Sequence, residues 1–149
     1  ASTIHTLIQR LENPPISLPR ALLTSLDIIV FQNAIDIGKK TVRRMTSVTE
    51  VIKLDPDTNQ LIFMEPFSWV SKTDDRFERT GGSKIINTIK VQNNWSETDL
   101  EEELTNRKTV LNWMIKKNMR DYRDVGRIVA EYERHPEKII NKAKEELSE

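Results

Sequence analysis

The chain has 149 residues, a length that suits one domain with its own hydrophobic core. Its 23 basic and 23 acidic residues cancel, so the chain as a whole lacks the positive field with which nucleic-acid-binding proteins neutralise phosphates, and we expect no nucleic-acid partner. The absence of cysteine excludes disulfides and thiolate metal sites, and the absence of a signal peptide or a bilayer-length apolar run predicts a soluble, cytoplasmic protein.

The first third of the chain predicts two short helices and a strand. Residues 6–12 predict a helix that ends before Pro14, because a proline forces the residue before it out of the helical region. Pro19 suits the first turn of a second helix, which runs to about Leu26. Residues 27–35 form an almost unbroken apolar run of strand length, which predicts a strand buried on both faces.

The next two strands are predicted to form a hairpin. Residues 41–54 are rich in valine, isoleucine and threonine, residues 55–59 are turn formers, and residues 60–70 predict the returning strand. Pro66 cannot donate a ladder hydrogen bond, so we expect the later half of this strand to be an edge or to contain a bulge.

Beyond Gly81-Gly82 the pattern is helical and heavily charged. We expect a short helix from Ser83, a helix that begins with the capping pair Ser96 and Asp99, one capped by Asp121 and one opened by Pro136. The last three helices carry apolar stripes, which are Leu100, Leu104, Leu111 and Met114/Ile115 on the first, Tyr122, Val125, Val129 and Tyr132 on the second, and Ile139, Ile140, Ala143 and Leu147 on the third.

A second kind of signal begins at the N-terminus. Thr3-Ile4-His5 is followed by Arg10-Leu11, by the prolines Pro14-Pro15 and by the apolar run from residue 27. This order resembles the histidine box of the type II/type IV secretion-system ATPases, in particular the archaeal branch for secretion, pili and flagellar assembly. Further matches to that family are Arg43-Arg44, Glu50, Phe67-Ser68-Trp69 and Tyr122.

The resemblance implies an α/β fold that is the C-terminal part of a RecA-like ATPase core, with a mostly antiparallel strand meander followed by a C-terminal helical subdomain. It implies that residues 1–149 are the C-terminal portion of the motor domain, with core strands and the histidine box in 1–80 and the helical subdomain in 81–149. The parent protein would be a hexamer that hydrolyses ATP with magnesium. Its partners would be its own copies and an inner-membrane platform protein, met at the cytoplasmic face of the membrane.

The resemblance also implies two site residues. His5, at the end of a core strand, would be the catalytic residue that senses a phosphate, and Arg10 would bind near the nucleotide or the subunit interface. The residues alone leave open a second interpretation, in which Arg10 is a surface residue of the helix and the aliphatic part of its side chain packs on a neighbouring residue. Arg44 and Glu50 fall on one face of a strand, where they are interpreted either as an ordinary charge pair or as an ordering contact inside the ATPase core. No set of residues has the spacing of a metal site.

The chain contains no Gly-x-x-x-x-Gly-Lys-Ser/Thr phosphate loop, and Gly81-Gly82 before Ser83 is interpreted as an ordinary entry into a helix. We therefore expect the chain alone to need no cofactor and to be inactive toward ATP. The alternative is a non-catalytic module that binds a protein through its helices. An exposed apolar groove among Leu100, Leu104, Tyr122 and Val129 would favour that function, whereas stripes that close on one another would indicate a packed subdomain.

Overall fold

A computed structural model of the protein describes residues 3–148. In chain order the elements are α1 (Ile4–Glu12), a 3₁₀ helix (Arg20–Ser25), β1 (Ile28–Ile37), β2 (Lys40–Leu54), β3 (Leu61–Trp69), β4 (Phe77–Arg79), α2 (Lys84–Gln92), α3 (Glu97–Lys116), α4 (Tyr122–Arg134) and α5 (Pro136–Ser148). The chain divides into an N-terminal unit, Ala1–Ile89, and a C-terminal unit, Lys90–Glu149. The predicted α/β class, with an antiparallel meander followed by helices, is confirmed.

The sheet of the N-terminal unit is an antiparallel meander in the order β1-β2-β3-β4. Between β2 and β3 the carboxylate of Asp55 accepts hydrogen bonds from the backbone N–H groups of Asp57 at 2.9 Å and Thr58 at 3.2 Å. Asn59 then takes the left-handed conformation, with φ 54°, which asparagine tolerates better than most residues. The predicted hairpin and its turn are confirmed.

The prediction that residues 27–35 form a strand buried on both faces is wrong. β1 lies at the edge of the sheet, and its side chains alternate in exposure. Phe31 and Ile35 are buried, whereas Ile28 and Val30 are nearly half exposed. The alternation arises because α1 and the 3₁₀ helix cover one face of this antiparallel sheet, where Leu7, Ile8, Leu11 and Leu23 line a small cavity with Val51 and Phe63.

Three irregularities in strand pairing shape the sheet, and one of them, between Val51 and Lys53 of β2, lies opposite Phe63 and Ile62 of β3. Pairing between β2 and β3 passes from Glu50 opposite Met64 to Val48 opposite Phe67, so two residues of β3 oppose one of β2 beside Pro66. The expected bulge is therefore confirmed, while the alternative that this half of β3 is an edge is wrong, because β4 pairs with it. The irregularity between β1 and β2 has Thr46 as the additional residue.

The helices of the C-terminal unit begin where the capping signals predict. Ser96 and Asp99 form a reciprocal capping box at α3, the Asp121 carboxylate accepts the Arg123 N–H at 2.8 Å, and Pro136 is the first residue of α5. None of the helices within residues 3–148 is long and apolar enough to cross a membrane.

The apolar stripes of α3 and α4 are only partly buried. α5 packs against both helices, and its buried stripe of Ile139, Ile140 and Ala143 is confirmed. On α3 and α4 the core takes the side chains that face α5, which are Val110, Trp113, Met114 and Tyr132. The predicted stripe residues that turn away from α5 are exposed, and these are Leu111, Ile115, Tyr122 and Val129.

Candidate functional site

The prediction that His5 ends a core strand is wrong, because His5 lies in the first turn of α1. The side chain of Thr3 accepts the N–H of Thr6 at 3.3 Å, and the side chain of Thr6 accepts the N–H of Thr3 at 3.2 Å. This capping box satisfies backbone donors that a new helix leaves without partners, so the chain turns helical at residue 4. The His5 side chain is exposed to solvent.

His5 lies at an open cleft of about 300 Å³ in the N-terminal unit, together with Ile8, Gln9, Glu12, Arg20, Gln60, Leu61 and Phe63. The only cation among these lining residues besides a protonated His5 is Arg20. Its guanidinium binds both carboxylate oxygens of Glu12, with Nη2 at 2.7 Å from Oε2, and Nη1 donates to the carbonyl of Asn59 at 3.0 Å. The hydrogen bond from Arg20 lowers the pKa of Glu12. Arg20, in the 3₁₀ helix, therefore connects α1 and the β2–β3 turn through its hydrogen bonds.

Arg10 does not line this cleft. It is exposed and lies five positions after His5, which on an α-helix is a rotation of about 140°. The two side chains that the sequence pairs in one box therefore project from different sides of α1. Their roles at a nucleotide stay predictions.

The described residues around the cleft show few of the groups that usually hold magnesium and a nucleotide. Within residues 3–148 no group of three or more histidine and acidic side chains is placed to hold a metal ion. The guanidinium in the cleft, from Arg20, already binds the carboxylate of Glu12. A phosphate cradle of backbone amides and a lysine, such as phosphate loops provide, is absent from the sequence.

The prediction that Arg44 and Glu50 contact each other is wrong, because each side chain binds a different partner. Arg44 binds Asp75 through two hydrogen bonds, at 2.8 and 2.6 Å, and the indole N–H of Trp69 donates to the same carboxylate at 2.9 Å. This cluster ties the β3–β4 loop to β2. Sequence reasoning missed Asp75 because 31 positions separate it from Arg44, and no local periodicity relates residues so far apart.

Glu50 instead fastens the start of α2 to the sheet. It is 3% exposed, and its carboxylate accepts hydrogen bonds from the Ser83 hydroxyl and from the N–H groups of Lys84 at 2.7 Å and Ile85 at 3.4 Å. The Ser83 hydroxyl in turn accepts the N–H of Ile86 at 3.0 Å. A carboxylate at a helix N-terminus accepts hydrogen bonds from the amides that have no partner within the helix, and the positive end of the helix dipole attracts it. Glu50 is thus structural.

The Arg44–Asp75 pair predicts a measurable pH dependence. The hydrogen bonds from Arg44 and Trp69 lower the pKa of Asp75 from 3.8 to about 2. A lowered folded-state pKa contributes stability that is present above pH 3.8 and is lost as the pH falls through about 2. An NMR titration of the Asp75 carboxyl group should give that value, and Arg44→Gln should move it back toward 3.8. An unchanged pKa in Arg44→Gln would contradict the assignment.

A second candidate site is a groove of about 140 Å³ between α3 and α4. It is lined by Arg107, Val110, Leu111, Met114, Val129, Tyr132 and Glu133. Of the four residues from which the sequence predicted a groove, Leu100 is buried and Leu104 half-buried, while Tyr122 and Val129 are exposed. An exposed groove is therefore present, but of the four predicted residues only Val129 lines it, and its α3 wall consists of Arg107, Val110, Leu111 and Met114.

The charges at the rim of this groove are already paired. Arg107 donates to Glu103 at 2.6 Å and to Glu133 at 3.1 Å, and its guanidinium lies 5.3 Å from the centre of the Tyr132 ring. The Tyr132 hydroxyl donates to Glu103 at 3.0 Å. Burial raises the pKa of Tyr132 to about 12, and the bond to Glu103 adds to the shift. The groove therefore offers a ligand mainly apolar surface, because Arg107 is already paired with Glu103 and Glu133.

Comparison with known proteins places residues 73–148 in a described family. The family model described as PilB3-like, C-terminal, matches this range, which is just over half of the chain and runs from the loop before β4 to the end of α5. The match covers the helical C-terminal unit and leaves His5 and Arg10 outside it.

Three similar proteins come from Methanocaldococcus jannaschii, and each carries the name uncharacterized protein. MJ1287 is 32% identical over 111 residues, which are 71% of this chain and 41% of that protein. MJ0781 is 26% identical over 140 residues, which are 94% of this chain and 19% of that protein. MJ0900 is 27% identical over 132 residues, 87% of this chain and 24% of that protein. This chain thus spans less than half the length of each of these relatives.

Proposed function

Because this chain belongs to the PilB3-like C-terminal family, we propose that it works as the C-terminal part of a hexameric ATPase that powers protein secretion or pilus or flagellum assembly. The family match over residues 73–148 is the observation that carries this proposal, since it associates the chain with pilus and secretion ATPases. The meander over residues 27–70 would extend the sheet of the RecA-like core of that ATPase. Magnesium and ATP would be held by residues other than those described above.

His5 and Arg10 have separate roles in this proposal. His5 is exposed at the mouth of a cleft, where a phosphate presented by another part of the ATPase can reach its imidazole. Arg10 projects from a different side of α1, which suits a contact with a neighbouring subunit. The proposed partners are copies of the same protein. A further proposed partner is a platform protein of the inner membrane, which the ATPase would meet at the cytoplasmic face of that membrane.

Nucleotide binding tests the proposal directly. We expect isothermal titration calorimetry to show no binding of magnesium-ATP by the 149-residue chain, because its sequence lacks a phosphate loop. In the complete secretion ATPase, His5→Ala should lower kcat at least tenfold, on the order of the loss of one transition-state contact. Gln9→Ala, which changes another lining residue of the same cleft, is the matched control and should leave kcat nearly unchanged. Tight, magnesium-dependent binding by the chain alone would overturn the proposal.

The exposed α3–α4 groove favours a second candidate function, a non-catalytic module that binds a partner protein. Leu111 and Val129 are each about half exposed on opposite walls of the groove. Exposed apolar side chains lining a concave surface are typical of sites that accept an amphipathic helix. This function is compatible with a part of the ATPase that does not itself bind nucleotide.

A further inference from the structure

The turn between α3 and α4 presents two large apolar side chains to solvent. α3 ends with Asn118 in the left-handed conformation, φ 52°, and the N–H of Met119 donates to the Met114 carbonyl at 3.0 Å, which closes a Schellman motif. Ile115 in the last turn of α3 and Tyr122 in the first turn of α4 therefore lie at the same end of the helix pair. They are 74% and 75% exposed. We call residues 115–123 the α3–α4 corner.

The α3–α4 corner also carries an excess of positive charge. Lys117 pairs with the Glu146 carboxylate at 2.6 Å. The other three cations of the corner donate to neutral oxygens. Lys116 donates to the carbonyls of Glu146 and Leu147, each at 3.1 Å. Arg120 donates to the amide oxygen of Asn118 at 2.6 Å, and Arg123 donates to the hydroxyl of Tyr122 at 3.2 Å. Neutral acceptors satisfy donors without cancelling their charge. The corner also holds one carboxylate, Asp121, which caps α4, so its four cations exceed Asp121 and Glu146 by two, and a local cationic patch persists in a chain of zero net charge.

This combination distinguishes the corner from the α3–α4 groove. A partner helix needs a concave wall, and the groove provides one with rim charges that are already paired. Ile115 and Tyr122 instead keep three quarters of their surface exposed, as protruding side chains do. A protruding aliphatic side chain beside an exposed tyrosine, flanked by lysine and arginine, is the composition that binds the interface of an anionic bilayer.

We propose that the α3–α4 corner is a contact site for anionic lipid headgroups. Lys116, Arg120 and Arg123 bind the phosphates, while Ile115 and Tyr122 enter the headgroup layer. The chemistry of the surface selects a negatively charged bilayer over a neutral one, since each cation adds electrostatic attraction only to the former. This proposal rests on contacts within the C-terminal unit and stands without the ATPase assignment.

Sedimentation with vesicles tests the proposal with the full 149-residue chain. We expect the chain to sediment with vesicles made of equal parts phosphatidylglycerol and phosphatidylcholine at about 0.1 M salt, and to be released at about 1 M salt, where charges are screened within a few ångströms. Pure phosphatidylcholine vesicles should bind it at least tenfold more weakly. Arg120→Gln with Arg123→Gln should weaken binding about fivefold for each charge removed. Ile115→Ser, which leaves the charge unchanged, should weaken it roughly tenfold.

The matched control removes the same charge from the opposite end of α4 and the start of α5. Arg134→Gln with Lys138→Gln should bind the anionic vesicles like the unmodified chain. Circular dichroism should show all variants folded, because every changed side chain is exposed. The proposal is overturned if the unmodified chain stays in solution with anionic vesicles, if the control pair loses as much binding as the corner pair, or if Ile115→Ser binds normally. A corner that binds an acidic protein instead would give the first of these results.

Discussion

Trp113→Ala should lower the free energy of unfolding of the C-terminal unit by about 3–5 kcal/mol. Trp113 is 1% exposed and packs in one cluster with Val110, Tyr132 and Ala143. Truncation to alanine removes the largest side chain of this cluster and leaves a cavity that the surrounding helices cannot fully close. It also removes the indole N–H that donates to Glu146 at 3.1 Å.

Urea unfolding followed by far-ultraviolet circular dichroism measures this effect, because the helices dominate the signal. Leu111→Ala is the matched control, since Leu111 lies on the same helix but is 54% exposed. It should cost less than about 1 kcal/mol, as surface substitutions usually do. Equal losses in the two variants would contradict the assignment of the core to the side of α3 that carries Trp113.

Glu50→Ala should destabilise the N-terminal unit by about 3 kcal/mol. The substitution leaves the buried Ser83 hydroxyl and the part-buried N–H groups of Lys84 and Ile85 without their acceptor. Hydrogen bonds to a charged group are stronger than neutral ones, and a buried donor without a partner costs its full desolvation energy. Glu50→Gln keeps one oxygen as an acceptor and should recover about half of the loss.

Amide hydrogen exchange reports this effect at the residues concerned. In Glu50→Ala the N–H groups of Lys84 and Ile85 should lose protection, together with a lower urea midpoint. Glu65→Ala removes an exposed carboxylate from the same sheet and should leave both measurements nearly unchanged. If the two alanine variants behave alike, Glu50 does not hold α2.

Local rules predicted the elements whose determinants lie within a few residues. The 55–59 turn, the Ser96–Asp99 capping box and the start of α5 at Pro136 each depend on neighbours in sequence, and each is confirmed. The same kind of determinant explains one failure. The reciprocal cap between Thr3 and Thr6 starts a helix where the family resemblance implied the end of a strand.

Features that depend on long-range packing were not predictable in this way. Arg44 and Glu50 take partners 31 to 35 positions away, so the expectation that they pair with each other on one strand was wrong. On α3 both Val110 and Leu111 are apolar, and only the position of α5 decides that Val110 is buried. The described contacts test neither the catalytic role of His5 nor the nucleotide contact of Arg10, and both stay predictions.

The bulge at Thr46 affects how the sheet meets other molecules. A long, flat edge strand is a template onto which further strands can add, and such addition leads to polymers. Here the Thr46 hydroxyl accepts the Asn33 side-chain amide at 2.8 Å and donates to the Phe31 carbonyl at 3.3 Å, which fixes the irregularity beside the middle of β1. Bulges increase local twist, so the outer edge of β1, the terminal strand of this sheet, is divided into two short halves that differ in orientation rather than forming ten residues in one register.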